Sequence, residues 1–192
     1  KVAVVGADTD DTVGDYAINQ GSLTAGSNYT ISYVSDDLTI TAANLTVTAD
    51  PKSKVYGNAD PTFTYVATGF QNGDTVSIMT GNLVRDAGEN VGDYAINLGT
   101  LSAGANYSIN YTSADLSITP ATLTIDADAK AKTYGAADPV LTYVVTGLTN
   151  GDANTVITGS LTRDIGENVG TYAINQGSLS AGSNYTISYV SD

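Results

Sequence analysis

A chain of 192 residues, 42% apolar and only 14% charged, has material for a core but must cover its surface with neutral polar groups. Its formal charge of −13, from 20 acidic against 7 basic residues, excludes nucleic acid as a partner and attraction to an anionic membrane surface. Cys and His are both missing, which excludes disulfides, thiolate metal sites, and the commonest general base and zinc ligand.

Thr, Ser, Asn and Gly are abundant throughout, and these residues suit turns and the solvent faces of strands better than helices. No apolar run approaches the roughly 18 residues of a spanning helix, so no membrane insertion is expected of this segment. The chain opens on neither an initiator Met nor a signal-peptide pattern, which suggests a piece of a longer polypeptide.

In chain order, Gly14-Asp15-Tyr16-Ala17-Ile18-Asn19 and Leu38-Thr39-Ile40-Thr41 read as the first two strands. Leu45, Val47 and Ala49 then alternate with Thr46 and Thr48, the two-residue period of a half-buried strand. Lys54-Val55-Tyr56-Gly57 follows, and Pro61 in Ala-Asp-Pro marks a turn or strand entry. Phe63, Tyr65 and Ala67 alternate with polar or β-branched neighbours, and Asn72-Gly73 then predicts a hairpin turn. Glu89-Asn90-Val91-Gly92-Asp93-Tyr94 leads into a strand as a corner turn with an inward Tyr does in immunoglobulin-like sandwiches. Ile96 continues that strand; Tyr107, Ile109 and Tyr111 form the next, and Leu116 and Ile118 the last.

The pattern then starts again. Gly14, Gly92 and Gly170 open the same Gly-x-Tyr-Ala-Ile-Asn run at intervals of 78 residues. The same offset carries Leu45-Thr46-Val47 onto Leu123-Thr124-Ile125, and Lys54-Val55-Tyr56-Gly57 onto Lys132-Thr133-Tyr134-Gly135, without gaps. A fixed period is the signature of a repeat array. Residues 1–42 are the C-terminal half of a repeat, 43–120 a complete repeat, and 121–192 a repeat lacking its last strand. The expected fold is all-β, tandem immunoglobulin-like small β-sandwich repeats of 78 residues, with β-grasp-like units as the alternative. The linkers Ala42-Ala43-Asn44 and Pro120-Ala121-Thr122 are short, so a stiff rod is expected.

The run from Lys132-Thr133-Tyr134-Gly135 through Asp138-Pro139 to Gly147-Leu148 closely resembles the YGX-type MBG domain of bacterial surface proteins. The likeness continues through Leu161-Thr162-Arg163-Asp164, Gly166-Glu167-Asn168-Val169-Gly170-Thr171-Tyr172 and Asn184-Tyr185-Thr186-Ile187. It covers nearly all of residues 43–192 and the half repeat from about Gly14, while Lys1 to Asp11 depart from it. The resemblance implies secreted or cell-surface adhesin-type proteins with long arrays of such units, and it carries over no catalytic residue.

Candidate chemistry is sparse. Asp86 with Glu89 and Asp164 with Glu167 are the carboxylate pairs a glycosidase would need, but they recur in each full repeat in turn-like sequence. No Ser lies in a nucleophile elbow, so no enzyme, no catalytic residue and no organic cofactor is expected. Calcium is the one ion the residues leave open: Asp8, Asp10 and Asp11 are closely spaced, and Asp126 and Asp128 lie near a repeat junction, with Asp50 matching Asp128. Solvated turn carboxylates are the plainer reading of all of them. Tyr94, Tyr107 and Tyr111 are expected in the core with bonded hydroxyls, not as sugar-stacking platforms. Lys54 and Lys132 are expected on a solvent face or strand edge, not in Lys–Asn crosslinks. Asn28, Asn44, Asn106, Asn110 and Asn184 head Asn-x-Ser/Thr triplets.

The expected role is a stalk or fibre segment of a secreted or cell-surface bacterial adhesin-like protein. The alternative is a binding module for a surface glycan or host protein. Expected partners are neighbouring repeats, and identical chains head-to-tail if the unfinished ends complete each other by strand exchange.

Overall fold

The computed structural model describes residues 12–191. Among them are fourteen short strands, two single-turn 3₁₀ segments and no α-helix. The all-β expectation holds, in small sheets consistent with repeated β-sandwich-like units. A β-grasp needs a helix laid on its sheet, and none is found among the described residues.

The first half repeat supplies β1 (Gly14–Ile18) and β2 (Asp36–Ile40), an antiparallel pair. The complete repeat makes two sheets. In one, β3 (Ala43–Ala49) lies between β5 (Tyr65–Thr68), antiparallel, and β8 (Tyr107–Thr112), parallel. In the other the order is β4 (Lys52–Val55), β9 (Ala114–Thr119), β7 (Gly92–Asn97), β6 (Val84–Arg85). Here β9 runs parallel to β4 and antiparallel to β7, so the repeat's last strand is central, not an edge. The third repeat repeats the first sheet with β10 (Ala121–Ala127) between β11 (Tyr143–Thr146) and β14 (Tyr185–Val190). Of the second sheet it keeps only the pair β12 (Thr162–Arg163) and β13 (Ile174–Asn175).

Alternation decides which side chains go inward. Leu45, Val47 and Ala49 on β3 are buried between exposed Asn44, Thr46 and Thr48, and Leu123, Ile125 and Ala127 do the same on β10. Asn72 and Gly73 both adopt positive φ, +53° and +80°, and the Asp74 N–H closes the turn onto the Gln71 carbonyl. The turn is therefore as tight as expected, but the segments around it form no hairpin. β5 pairs with β3, whereas β6 joins β7.

The corner expectation holds closely. The Tyr94 hydroxyl donates to the Asn90 carbonyl at 2.8 Å, and Tyr172 repeats this with Asn168 at 2.9 Å. Gly88 has φ +145° and its α-carbon backs directly onto the Tyr94 ring, where a Cβ would overlap it.

By internal packing the chain forms two compact units. One comprises residues up to Asp50, Phe63–Val84 and Asn97–Ser113; the other Pro51–Thr62, Arg85–Ile96 and the chain from Ala114 on. Each draws on two consecutive repeats. The first holds β1 and β2 with the sheet of β3; the second holds the sheet centred on β9 with β10 to β14. The short linkers are part of this construction, since only Pro120 separates β9 from β10. The core of the second unit includes Ile96, Leu116, Ile118, Leu123 and Ile125, all essentially inaccessible.

The offset of 78 residues places Leu38 and Leu116 at one repeat position, yet Leu38 is 54% exposed and Leu116 0%. Leu116→Ala is therefore expected to cost about 2–5 kcal/mol and Leu38→Ala less than about 1 kcal/mol, measured by chemical denaturation.

Candidate functional site

Two arrangements gather the polar chemistry, and both lie within the second compact unit. The first is an ion network on the sheet centred on β9. Lys54 Nζ, on β4, donates to Asp60 Oδ1 at 2.7 Å and Glu89 Oε2 at 2.5 Å. Arg85, on β6, donates from Nε to Asp60 Oδ2 at 2.7 Å and from Nη2 to the other oxygen of Glu89. Its guanidinium also stacks over the Tyr94 ring, 5.4 Å from the centroid. Lys132, Asp138, Arg163 and Glu167 reproduce the network in the third repeat.

Lys54 thus corrects the expectation of a solvent-facing lysine. It stands on an edge strand, but its side chain is only 4% exposed. Burial works against its charge, yet the hydrogen bonds it donates to Asp60 and Glu89 outweigh that and leave its pKa raised. An amine held protonated by two carboxylates is a poor nucleophile for a Lys–Asn crosslink. Lys132, 23% exposed, is nearer to the expectation.

Glu89 and Glu167 are likewise bound to cations, each accepting from a lysine and an arginine. Asp164 instead accepts from Asn175 Nδ2 at 2.8 Å. Asp50 and Asp128 accept from the hydroxyls of Thr64 and Thr142 and tie β3 to β5 and β10 to β11. Asp126 is exposed on β10. Among the described residues no three His, Cys, Asp or Glu side chains converge as a cation site; Asp8, Asp10 and Asp11 lie outside the described residues.

The second arrangement joins consecutive repeats. Tyr56 of the complete repeat meets Tyr185 of the third edge-to-face, with ring centroids 5.4 Å apart. The Tyr56 hydroxyl accepts from Asn150 Nδ2 and donates to Asp152 Oδ2, both at 3.0 Å; the Tyr185 hydroxyl reaches the same Asp152 oxygen at 2.8 Å. Asn184 Oδ1 accepts from the Val91 N–H at 2.9 Å, and its Nδ2 donates to Asn90 Oδ1 at 3.0 Å. One repeat earlier, in the first unit, Asn106 Oδ1 accepts from the Val13 N–H at 3.0 Å. Both bonds span 93 residues, so the joint itself is periodic.

Tyr107 and Tyr185 meet the core expectation. Each is nearly buried and accepts an N–H, from Gln71 and Thr149, while donating to Asp74 and Asp152. Tyr94 and Tyr111 are half-buried. Of the Asn-x-Ser/Thr positions, Asn106 and Asn184 are used as joint residues, so a glycan there would break the joint. The joint roles of Tyr56 and Asp152 are not evident in the sequence, where Asn106 and Asn184 stand out only as heads of Asn-x-Ser/Thr triplets. The recurring Asn-Gly-Asp and Asn-Tyr-Ser/Thr triplets were the available signal.

What the geometry defines is a tandem-repeat β protein whose polar groups are spent on holding one repeat to itself and to the next. The family model for the MBG domain (YGX type) matches residues 3–39, 45–117 and 123–192, and the chain belongs to that family, a repeat domain of surface proteins. The first match begins inside Lys1 to Asp11, the stretch that departs from the repeat on inspection. No curated protein and no solved structure matches the chain. The family is not a known enzyme family.

The network sets a pH dependence. Asp60 and Glu89 are held below the ordinary carboxylate range, chiefly by hydrogen bonds from Arg85 and Lys54 respectively, and Asp138 falls to about 2 by its bonds to Arg163 and Lys132. Depressed carboxylates contribute stability above their unfolded values, about pH 4, and lose it as pH falls through the folded ones. Melting temperature is expected to hold from neutral pH down to about pH 5 and then drop, less steeply in Glu89→Gln. Lys54→Ala is expected to cost roughly 2 kcal/mol in chemical denaturation and Lys132→Ala clearly less, since only the first cation is covered and its acidic partners are partly exposed.

Proposed function

We propose that this chain is a stalk or fibre segment of a secreted or cell-surface bacterial adhesin-like protein, serving to set length and not to recognise or transform a ligand. The observation that carries the reading is the periodic joint. The same Asn carboxamide, at the same position of successive repeats, binds the same N–H of the preceding repeat. Such a bond propagates an array and serves no other evident purpose. In a repeat protein whose units contact nearest neighbours, added units extend the molecule without new chemistry.

Composition supports the extracellular part of the proposal. A net charge of −13 keeps a long chain exposed to solvent from self-associating. No helix among the described residues is long and apolar enough to cross a bilayer. The short connections between repeats support stiffness.

Recombinant chains of increasing repeat number test the stalk directly by small-angle scattering. The maximum dimension is expected to rise by a constant increment per repeat; a globular scaling of size with mass would refute it. Antibody labelling of intact cells that express the parent protein tests the location, and labelling only after lysis would exclude the surface.

A further inference from the structure

A pull along an array enters each repeat at its first residues and leaves at its last, so the pairing between those two segments decides how the load is carried. In the complete repeat they are residues 43–55, which hold β3 and β4, and residues 107–119, which hold β8 and β9. These segments pair with each other twice, both times in parallel. In the first unit six register pairs run from Ala43↔Tyr107 to Thr48↔Thr112. In the second unit four run from Lys52↔Leu116 to Val55↔Thr119, with the same sequence offset between partners. The third repeat keeps the first ladder, from Ala121↔Tyr185 to Asp126↔Val190.

Further backbone bonds close the ladders where the load arrives and where it leaves. The Ala43 N–H donates to the Asn106 carbonyl at 2.9 Å, and the Tyr56 N–H to the Thr119 carbonyl at 2.8 Å. In the third repeat the Ala121 N–H donates to the Asn184 carbonyl at 3.0 Å. Asn106 and Asn184 are also the residues whose carboxamides hold the joint, so each ladder starts where its repeat grips the preceding one. The inner faces are covered: Leu45, Val47 and Tyr107 in one ladder and Lys54, Leu116 and Ile118 in the other are buried, which keeps water from that side of the bonds. Lys54 pairs with Ile118 and is bound to Asp60 and Glu89, so β4 cannot slide without drawing a buried cation off its two carboxylates.

Direction decides what such ladders withstand. Two parallel strands drawn apart by the N-terminus of one and the C-terminus of the other must slide along each other, and their evenly spaced bonds all stretch at once. Drawn apart across a single register pair, the same strands open like a zipper and the bonds break one after another. The chain's own connectivity imposes the first geometry on both ladders, since β3 and β4 lead in and β8 and β9 lead out. We propose that the two parallel ladders are a tension clamp, and that each repeat carries mechanical load along the array through them. This deepens the stalk reading and rests on it for the direction of the load.

The chain contains no Cys, so two introduced ones define the points of attachment for single-molecule pulling. Asn44, Ser108 and Thr112 all stand exposed on the outer face of the first ladder, and Asn44 is the register partner of Ser108. Whole chains carrying Asn44→Cys with Thr112→Cys are dragged lengthwise along the ladder; those carrying Asn44→Cys with Ser108→Cys are peeled across it. The second handle moves by one turn of the pleat on the same face of β8, so the length of chain set free is nearly equal. The rupture force reports the unfolding barrier, and it is expected to be at least about twofold higher for the lengthwise pair. Equal forces would overturn the clamp. The unaltered chain, held by its two ends, is expected to give its strongest rupture in the range of the lengthwise pair, and a strongest rupture in the peeling range would overturn the clamp as well. Either failure leaves the constant increment of length per repeat in scattering untouched, so a stalk that carries no load is told apart from a chain that is no stalk.

Discussion

The central placement of the last strand governs the rest of this molecule. Because β9 lies between β4 and β7, a repeat cannot finish its second sheet until its final residues are in place. One residue later the chain is already in β10, the middle strand of the next repeat's first sheet. Closing one repeat and opening the next are therefore nearly the same event along the backbone. The compact unit follows from this: it contains the closing sheet of one repeat and the opening sheet of the following one. The period in the sequence marks what is copied, and the packing marks what is buried together.

Holding that arrangement falls to groups that are individually modest. An exposed ion pair contributes little, since water competes and two long side chains must be ordered. The network of Lys54, Asp60, Arg85 and Glu89 is better placed, because its two cations are mostly covered and each carboxylate answers both of them. It ties β4 to β6 across a four-stranded sheet whose two middle strands carry Leu116, Ile118 and Ile96. Without disulfides, such a network and the buried aliphatic positions must do the work together. The joint adds directional bonds: Asp152 receives two tyrosine hydroxyls, which fixes where one repeat meets the next more sharply than apolar contact alone.

Much of this was legible in the residues themselves. Two-residue alternation located β3, β8 and β10 because each has one face in the core and one in water, the situation in which alternation is strongest. The tyrosine corner was legible because it is local, a hydroxyl meeting a carbonyl four residues back. The burial of Lys54 was not, since its acidic partners are six and 35 residues away and only the parallel pairing of β4 with β9 turns the side chain inward. The joint was hidden for a similar reason: Asn184 and Val91 are 93 residues apart, and an Asn in a Gly- and Ser-rich turn looks like any other. Asn72-Gly73 misled in the opposite way. The dipeptide specified its own backbone, but which strands pair is settled by faces elsewhere in the repeat.

Near-identical repeats also separate what a residue is from where it stands. Tyr56 and Tyr134 are the same residue at the same position, one packed on a following repeat and the other 72% exposed; Val91 and Val169 differ in the same sense. Lys54 and Lys132 keep the same two acidic partners and differ in how much water reaches them. Sequence identity at these positions is thus intelligible only for the interior of an array, where each copy meets the environment of Tyr56 and Lys54. A repeat taken alone would leave the aromatic group of its joint, Tyr56, without the Tyr185 and Asp152 it packs on, a poor design for an independent domain. As one element in a row, the same features are complementary surfaces. Stability then belongs to the joint as much as to the repeat, as expected of arrays governed by nearest-neighbour terms.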